Sequence, residues 1–249
     1  MTTRNPVPPL KMPQYDFEEL PQCKPDLSTS WLIEVVQREI WLDCLAEMLL
    51  LCNESANRRM ARMGAKAVVC SDGTHSKPLG LEYMADRIDI DDPIRGFQVR
   101  SADEGWLQGF ITTTTFTVWQ RDFRWDSRAP ENGFHPHEMK DRVWDEDGSF
   151  ADTLEALPRG GDPDNEGISW PRVAELSLLG AIGCGKALVQ TLIEELEAGD
   201  RYDYLVLQAT DNSVPFYETL VFIRVGAVAR YRREEEDDLP PPLPTAQAP

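Results

Sequence analysis

The sequence of 249 residues lacks several features that mark whole classes of protein. It has no run of about 18 consecutive apolar residues, which argues against a transmembrane helix. The first residues, MTTRNPVPPLKMPQ, contain no apolar core of a secretory signal peptide. The cysteines show no C-x-x-C spacing, so neither a zinc site nor a disulfide framework is predicted. We therefore expect an intracellular protein, cytoplasmic or nuclear, without a membrane anchor and without a metal.

Positive charge is also scarce. The chain has 25 basic and 43 acidic residues, a formal net charge of −18. Direct binding to nucleic acid requires a basic surface, so this partner is not expected. An acidic surface instead attracts cations such as a lysine-rich protein tail or a polyamine. Acidity alone also keeps a chain soluble, and the composition leaves both interpretations open.

The composition divides the chain into four parts. The first and last parts are rich in proline, lack periodicity and are predicted to be disordered. The second has apolar residues at helical spacing from Trp31 to Cys52, which predicts an amphipathic helix bent near Asn53 and ended by Gly64. The third is the main domain. The parts are a disordered arm (1–28), a helical segment (29–64), a main α/β domain (65–231) and a disordered tail (232–249).

The main domain contains strand-like segments and a long insertion. Residues 66–70, 95–101 and 105–119 are predicted strands, with Gly109 marking a bulge or a close backbone approach. Residues 121–169 are predicted to be an insertion with a short helix around FADTLEALP. Within it, 141–166 holds nine acidic and two basic residues. His135 and His137 flank a proline there, without a third ligand nearby, so a plain loop is favoured over a metal site.

The end of the main domain is regular. Residues 172–179 predict a strand, 183–199 a helix ending at Gly199, and 202–210 a second strand parallel to the first. A short helix over 211–220 and a third strand over 221–231 follow. The predicted fold class is therefore α/β, a mixed central sheet flanked by helices, with a helical N-terminal extension.

The stretch LLGAIGCGKALVQ, residues 178–190, lies between the first of these strands and its helix. It fits two anion-binding loops, because both use backbone N–H groups at a helix N-terminus to hold phosphate. A nucleotide P-loop needs Ser or Thr after the lysine to bind magnesium, but Ala187 follows Lys186. The glycines also fall in the wrong order for a dinucleotide loop. The remaining interpretation is a pyrophosphate loop of the x-x-G-x-G type.

A second motif downstream supports this choice. The segments AELSLLGAIGCGKALVQTLIEELE and YLVLQATDNSVPFYETLVF follow each other at a fixed distance. Together they resemble the GNAT superfamily of N-acetyltransferases over residues 172–231, in its glycine loop and in its tyrosine helix. Three positions depart from the family pattern. Gly180 stands where the family has Gln or Arg, Val221 stands where it usually has Gly, and Pro215 lies within the tyrosine helix.

The resemblance implies acetyl-CoA as co-substrate. The amides from Ile182 to Lys186 would bind its pyrophosphate, and Leu178 and Leu179 would bind its pantetheine arm. Tyr217 would protonate the leaving thiolate, with a packed core tyrosine as the alternative. The implied cofactor residues are Leu178, Leu179, Gly180, Ile182, Gly183, Cys184, Gly185, Lys186 and Asn212.

The acceptor implied by the resemblance is a primary amine. Glu175, in a strand similar to that of the protein-lysine acetyltransferases, would remove its proton, with a carboxylate at the strand edge facing water as the alternative. A protein lysine on a histone-like tail is the favoured acceptor, and a polyamine is a second possibility. The competing class is a noncatalytic acyl-CoA-binding or interaction module of the same fold, docked through its proline-rich termini.

Overall fold

The computed structural model describes residues 30–63, 79–89, 94–129, 143–210 and 213–229. These form two compact units. One comprises the described residues up to Phe116 and those from Arg172 to Leu220, and the other comprises Thr117–Pro171 and the described residues from Val221 on. Several sequence predictions lie outside the described residues: the arm of residues 1–28, the helix stop at Gly64, the strand at 66–70, His135 and His137, Asn212, and the tail from 232.

Eight strands and six helices lie within the described residues. The strands are β1 (Ser30–Val35), β2 (Arg95–Ser101), β3 (Leu107–Val118), β4 (Arg124–Trp125), β5 (Gly160–Asp162), β6 (Gly167–Ala181), β7 (Tyr204–Val206) and β8 (Ala227–Val228). The helices are α1 (Arg38–Asp43), α2 (Leu45–Met63), α3 (Leu81–Ile88), α4 (Ser149–Glu155), α5 (Gly185–Ala198) and α6 (Val214–Glu218).

The first unit is built on a mixed sheet. Its strands follow the order β1-β2-β3-β6, and β7 pairs with β6. The β1–β2 and β2–β3 pairs are antiparallel, and β7 is parallel to β6. This confirms both the predicted α/β fold class and the strand–helix–strand unit. A parallel pair needs a crossover connection, which α5 provides.

Helices cover both faces of this sheet around Gly109 and Phe110. The Phe110 ring packs edge-on against Trp41 of α1, at 6.4 Å between ring centroids. A Cβ at Gly109 would instead lie 2.4 Å from Cys184 Sγ and 2.9 Å from a Leu188 methyl group, at the start of α5. Successive residues of a strand point to opposite faces, so α1 and α5 lie on opposite sides. The register of β2 against β3 also shifts at Gly109, as the sequence predicted.

The N-terminal helix prediction is wrong at its start. Residues 30–35 form β1, which pairs with β2 along its whole length, and the helix begins only at Arg38. The segment SWLIEV contains aromatic and β-branched residues, which favour a strand. Its apolar spacing also suits a helix, and only the pairing with a strand more than sixty residues away decides between the two. The predicted bend near Asn53 is wrong as well. The break is at Cys44, between α1 and α2.

The C-terminal elements are shorter than the sequence predicted. β7 spans three residues, α6 spans five, and the third strand is reduced to Ala227–Val228. The chain leaves α6 through Val221, whose φ of 62° lies in the left-handed region. This conformation favours glycine and is unusual for a β-branched residue. It explains why glycine suits this position better than valine and why no regular strand starts there.

The second unit is organised by a buried carboxylate within the acidic insertion. Asp145 accepts hydrogen bonds from the Ser127 hydroxyl at 2.7 Å and from the amides of Phe150 and Ala151 at 3.0 and 2.9 Å. It thereby caps the N-terminus of α4, the short helix that the sequence predicted here. Ser127 also accepts from the amide of Gly226, near β8. In this unit β4 pairs with β8, and β5 pairs with the first residues of β6.

None of the described helices combines the length and apolarity needed to cross a membrane.

Candidate active site

The glycine loop joins the end of β6 to the start of α5. Gly183 has a φ of 86°, a left-handed conformation that glycine adopts without a steric cost. The first amides of α5 have no partner within the helix, and they carry the positive end of its dipole. The first turn contains no acidic residue, although the chain is strongly acidic, and Lys186 in that turn is exposed. The loop therefore offers amides and a cation to an anion.

Two residues of the predicted loop, Ile182 and Cys184, direct polar groups towards β3 and not towards a ligand. The amide of Ile182 donates to the carbonyl oxygen of Gln108 at 2.9 Å, so this amide is already used, contrary to the sequence prediction. Cys184 is buried, and its thiol lies 3.5 Å from the same oxygen. Burial raises the pKa of the Cys184 thiol to about 11, so it stays protonated. The amides left for a phosphate are those from Gly183 to Lys186.

The pairing of β6 with β7 ends before this loop, and we call the unpaired edge of β6 that follows the β6–β7 opening. The two strands pair only from Val173–Tyr204 to Glu175–Val206, and β6 then continues to Ala181 while β7 ends. Within the part of the chain that the structure describes, no strand pairs with residues 176–181 on this side. The edge of β6 therefore presents unpaired backbone groups to an extended ligand.

The direction of the backbone groups distinguishes the two leucines predicted to bind the ligand. The amide of Leu178 donates to Thr112 Oγ1 of β3 at 3.0 Å, which turns it away from the opening, contrary to the sequence prediction. Backbone groups of successive strand residues point to opposite sides. Leu179 therefore directs its N–H and C=O towards the opening, while the Leu178 side chain belongs to the core.

Packing explains the glycine at position 180. A Cβ there would lie 2.6 Å from the Phe110 ring and 2.7 Å from Cys52 Sγ of α2. Both neighbours are buried. The Gln or Arg of the family pattern has no room at this position, so Gly180 acts as a packing residue and offers no side chain to a ligand.

Glu175 lies at the last paired position of β6, where the opening begins. Its carboxylate is buried and lies 3.3 Å from Nη1 of Arg87 in α3. Burial raises the pKa of Glu175, and the Arg87 charge and hydrogen bond oppose that rise. The alternative of a carboxylate at the strand edge facing water is therefore wrong. Sequence reasoning missed Arg87, because no local pattern signals a partner 88 residues away.

Tyr217 is carried by α6, which lies beside the glycine loop. The ring of the preceding residue, Phe216, would be 3.5 Å from a Cβ added at Gly185. Burial raises the pKa of Tyr217 to about 12, with a smaller opposing effect of the Arg59 charge and a further increase from Cys52. The phenol is thus protonated at neutral pH.

Among the described residues, no group of three or more His, Cys, Asp and Glu side chains is placed to hold a metal ion.

No protein-family model matches the chain, and no curated protein sequence matches it. Solved structures do match, and among them are the following acetyltransferases. An aminoglycoside acetyltransferase from an uncultured soil metagenomic sample, solved with sisomicin, is 10% identical, with a TM-score of 0.35 over 78% of this chain and 86% of that one. A Trypanosoma brucei acetyltransferase is 14% identical, with a TM-score of 0.34 over 82% and 96% of the two chains.

A protein of Deinococcus radiodurans R1, provisionally assigned as an acetyltransferase, is 16% identical, with a TM-score of 0.35 over 84% of this chain and 92% of that one. Likeness at identities and TM-scores this low assigns no function to the chain.

Proposed function

We propose that the chain transfers an acetyl group from acetyl-CoA to a primary amine. The observation that carries this proposal is the opening between β6 and β7, which begins at Glu175 and leads to the glycine loop at Gly183. A linear ligand with a pyrophosphate at one end and an amide-containing arm fits such a site. The amides from Gly183 to Lys186 would receive the pyrophosphate, and the exposed edge at Leu179 would pair with the arm.

The titratable groups beside the opening suit direct transfer. An alkyl ammonium group has a pKa of about 10.4, and it must lose a proton before the neutral amine can attack a thioester. Glu175 would accept that proton, directly or through a water molecule, and burial raises its pKa towards that of the amine. The positive charge of Arg87, 3.3 Å from the carboxylate, opposes this rise.

The departing group of the reaction is the CoA thiolate. Tyr217 is protonated at neutral pH and would donate its proton to this sulfur as the carbon–sulfur bond breaks. Glu175 would therefore act first, by accepting a proton from the ammonium group, and Tyr217 would act last, by donating a proton to the CoA sulfur. As the carbon–nitrogen bond forms, the nitrogen loses its second proton, which restores the Tyr217 phenol through solvent, and the proton held by Glu175 passes to solvent. The amine thus gains the acetyl group, and CoA leaves as the thiol.

The acceptor that we propose is a lysine of a basic protein tail. Its support is the formal net charge of −18, which would attract a polycation to the protein surface. A polyamine carries the same kind of charge and is the second candidate. Both acceptors present a primary amine, so the chemistry at Glu175 is common to them.

A noncatalytic acyl-CoA-binding module remains the competing function. Its support is the shortened α6 and the strained exit at Val221, which depart from the regular tyrosine helix of the resembled family. Such a module would bind CoA and would release no thiol from acetyl-CoA.

Thiol release from acetyl-CoA in the presence of a lysine-rich peptide tests the proposal. We expect Tyr217→Phe and Glu175→Gln each to lower kcat by about 10²–10⁴-fold, with CoA affinity within a few-fold of the unmutated chain. Tyr202→Phe is the matched control, because its hydroxyl contacts Thr115 in β3 and not the glycine loop. CoA binding without peptide-dependent thiol release would support the noncatalytic module. Absence of CoA binding would refute both functions.

A further inference from the structure

Arg87 is the more accessible member of the ion pair at the start of the β6–β7 opening. Its side chain is 33% exposed, whereas the side chain of Glu175 is 9% exposed. The two charged groups are 3.3 Å apart, between Arg87 Nη1 and Glu175 Oε1. Any group that contacts the Glu175 carboxylate from solvent therefore comes within a few ångström of the Arg87 guanidinium.

The contact with Glu175 uses a small part of what this guanidinium offers. It consists of one hydrogen bond, from Nη1 to one carboxylate oxygen, and at 3.3 Å it is longer than the usual charge-assisted bond of about 2.7–2.9 Å. Arginine carries five N–H donors in a planar fork, which matches the two oxygens of a carboxylate. Glu175 does not bind this fork in the bidentate way, so a second carboxylate can be accepted beside it.

Tyr83, one turn earlier in α3, orients the guanidinium. Arg87 Cζ lies 5.6 Å from the centroid of the Tyr83 ring, which is within the range of a cation–π contact. Residues four apart lie on the same face of a helix, so the two side chains share one side of α3. Tyr83 is 45% exposed. The pair therefore forms an accessible cationic and aromatic surface next to Glu175.

The acidic residues of α3 lie on another side of the helix. At about 100° of rotation per residue, Glu82, Asp86 and Asp89 are roughly 100–160° from Arg87 around the helix axis. Asp89 also has a partner of its own, Arg38 of α1, at 3.5 Å. The positive charge of Arg87 is therefore directed to Glu175 and to the space beside it.

We infer that Arg87 binds a carboxylate of the acceptor, and that the preferred acceptor is a peptide lysine with an acidic side chain two residues away. The inference rests on the proposed function, because it requires Glu175 to receive the amine. An ammonium group alone is repelled by the Arg87 charge as it approaches Glu175. A carboxylate on the same acceptor offsets this repulsion, because the four groups then alternate in charge. A polyamine carries no carboxylate, so the inference favours the peptide over the polyamine.

The distance within the ion pair sets the spacing of the two acceptor groups. With 3.3 Å between Arg87 Nη1 and Glu175 Oε1, the amine and the carboxylate of the acceptor must lie close together when both are bound. Residues i and i+2 of an extended peptide point to the same side, with their Cα atoms about 7 Å apart. Lysine and glutamate side chains are long and flexible enough to bring their charged ends together across that distance.

Acetylation kinetics of the full, unmutated chain with two basic peptides test the inference without any variant. Each peptide has a single lysine, and the two differ only in glutamate or glutamine two residues after it. We expect kcat/KM to be on the order of 10-fold higher for the glutamate peptide. The difference should lie in KM, because the contact with Arg87 is present in the bound peptide and in the transition state alike. A third peptide with its glutamate at the far end has the same net charge and should behave like the glutamine peptide.

Two substitutions at Arg87 assign the preference to this residue. Arg87→Ala should bring the ratio of the two kcat/KM values to about one, and Arg87→Lys should give an intermediate ratio, because lysine keeps the charge and loses the fork. A general effect of Arg87 on Glu175 acts on both peptides and cancels in the ratio. Arg38→Ala is the matched control, because it also removes an arginine charge beside α3, at Asp89, and should keep the ratio of the unmutated chain.

The possible outcomes distinguish this inference from the proposed function. Equal kcat/KM values for the glutamate and glutamine peptides with the unmutated chain would overturn the inference and leave the proposed function intact. A preference that survives in Arg87→Ala, or one that Arg38→Ala abolishes, would overturn it as well. If neither peptide is acetylated, the proposed function fails and the inference fails with it.

Discussion

Replacing Gly183 by alanine tests whether the backbone conformation of the glycine loop matters, because the change adds only a methyl group. Gly183 has a φ of 86°, and a residue with a Cβ pays a steric cost of roughly 1–2 kcal/mol in this region. This energy corresponds to about a 5- to 30-fold change in an equilibrium constant. Either the loop keeps its conformation and the free energy of unfolding falls by that amount, or the loop relaxes and CoA affinity falls by up to the same factor.

Two measurements on the same preparations distinguish these outcomes. Calorimetric titration with CoA gives the CoA affinity, and denaturant unfolding gives the free energy of unfolding. The variant Gly185→Ala tests whether an added Cβ blocks the approach of CoA without straining the backbone. A Cβ at Gly185 meets Ala181 and Phe216 at ordinary contact distances of 3.4 and 3.5 Å, so stability should be unchanged while CoA binds more weakly. Gly80→Ala is the control, since its φ is −90° and a Cβ there meets nothing within 4 Å. If Gly183→Ala matches the unmutated chain in both measurements, the account of the loop is refuted.

Three further predictions concern charge, strain and capping. Arg87→Ala should move the acidic limb of the kcat/KM pH profile to higher pH, because Glu175 loses the charge that lowers its pKa, and Arg87→Lys should restore part of the shift. Val221→Gly should raise the free energy of unfolding by about 1 kcal/mol in denaturant titrations, because strain is relieved at a side chain that is 90% exposed. Asp145→Ala should lower that free energy by about 2–4 kcal/mol, because the Ser127 hydroxyl and the amides of Phe150 and Ala151 lose their acceptor.

Each of these predictions has an outcome that contradicts it. An unmoved acidic limb in Arg87→Ala would show that Glu175 does not set it. A less stable Val221→Gly protein would mean that the valine side chain makes a needed contact. Asp145→Asn keeps one acceptor oxygen and should lose less stability than Asp145→Ala. If both variants lose the same amount, the hydrogen bonds to the carboxylate are not the cause.

Local features of the site could be predicted from the sequence. The spacing of Gly183 and Gly185 indicates a phosphate loop, because a left-handed turn before a helix requires glycine. The apolar pattern of 183–199 and its terminal Gly199 predict α5 nearly to the residue. These signals lie within one turn or one helix, so no distant partner is needed to interpret them.

Features that depend on distant partners could not be predicted. Residues 30–35 become a strand because 96–101 pair with them, and the segment itself is also compatible with a helix. The burial of Glu175 and its contact with Arg87 bring together elements 88 residues apart. The amides of Leu178 and Ile182 were predicted to bind ligand, but β3 uses both, and only the register of the folded sheet determines that.

The most direct test of acetyl transfer is mass spectrometry of a lysine-rich peptide after incubation with acetyl-CoA and the unmutated chain. The proposed function predicts acetylation of a lysine side chain, with one CoA thiol released for each acetyl group transferred. It also predicts that Glu175→Gln and Tyr217→Phe leave the peptide almost unmodified. Peptide and polyamine acceptors that both stay unmodified, while CoA still binds, would contradict the enzymatic function.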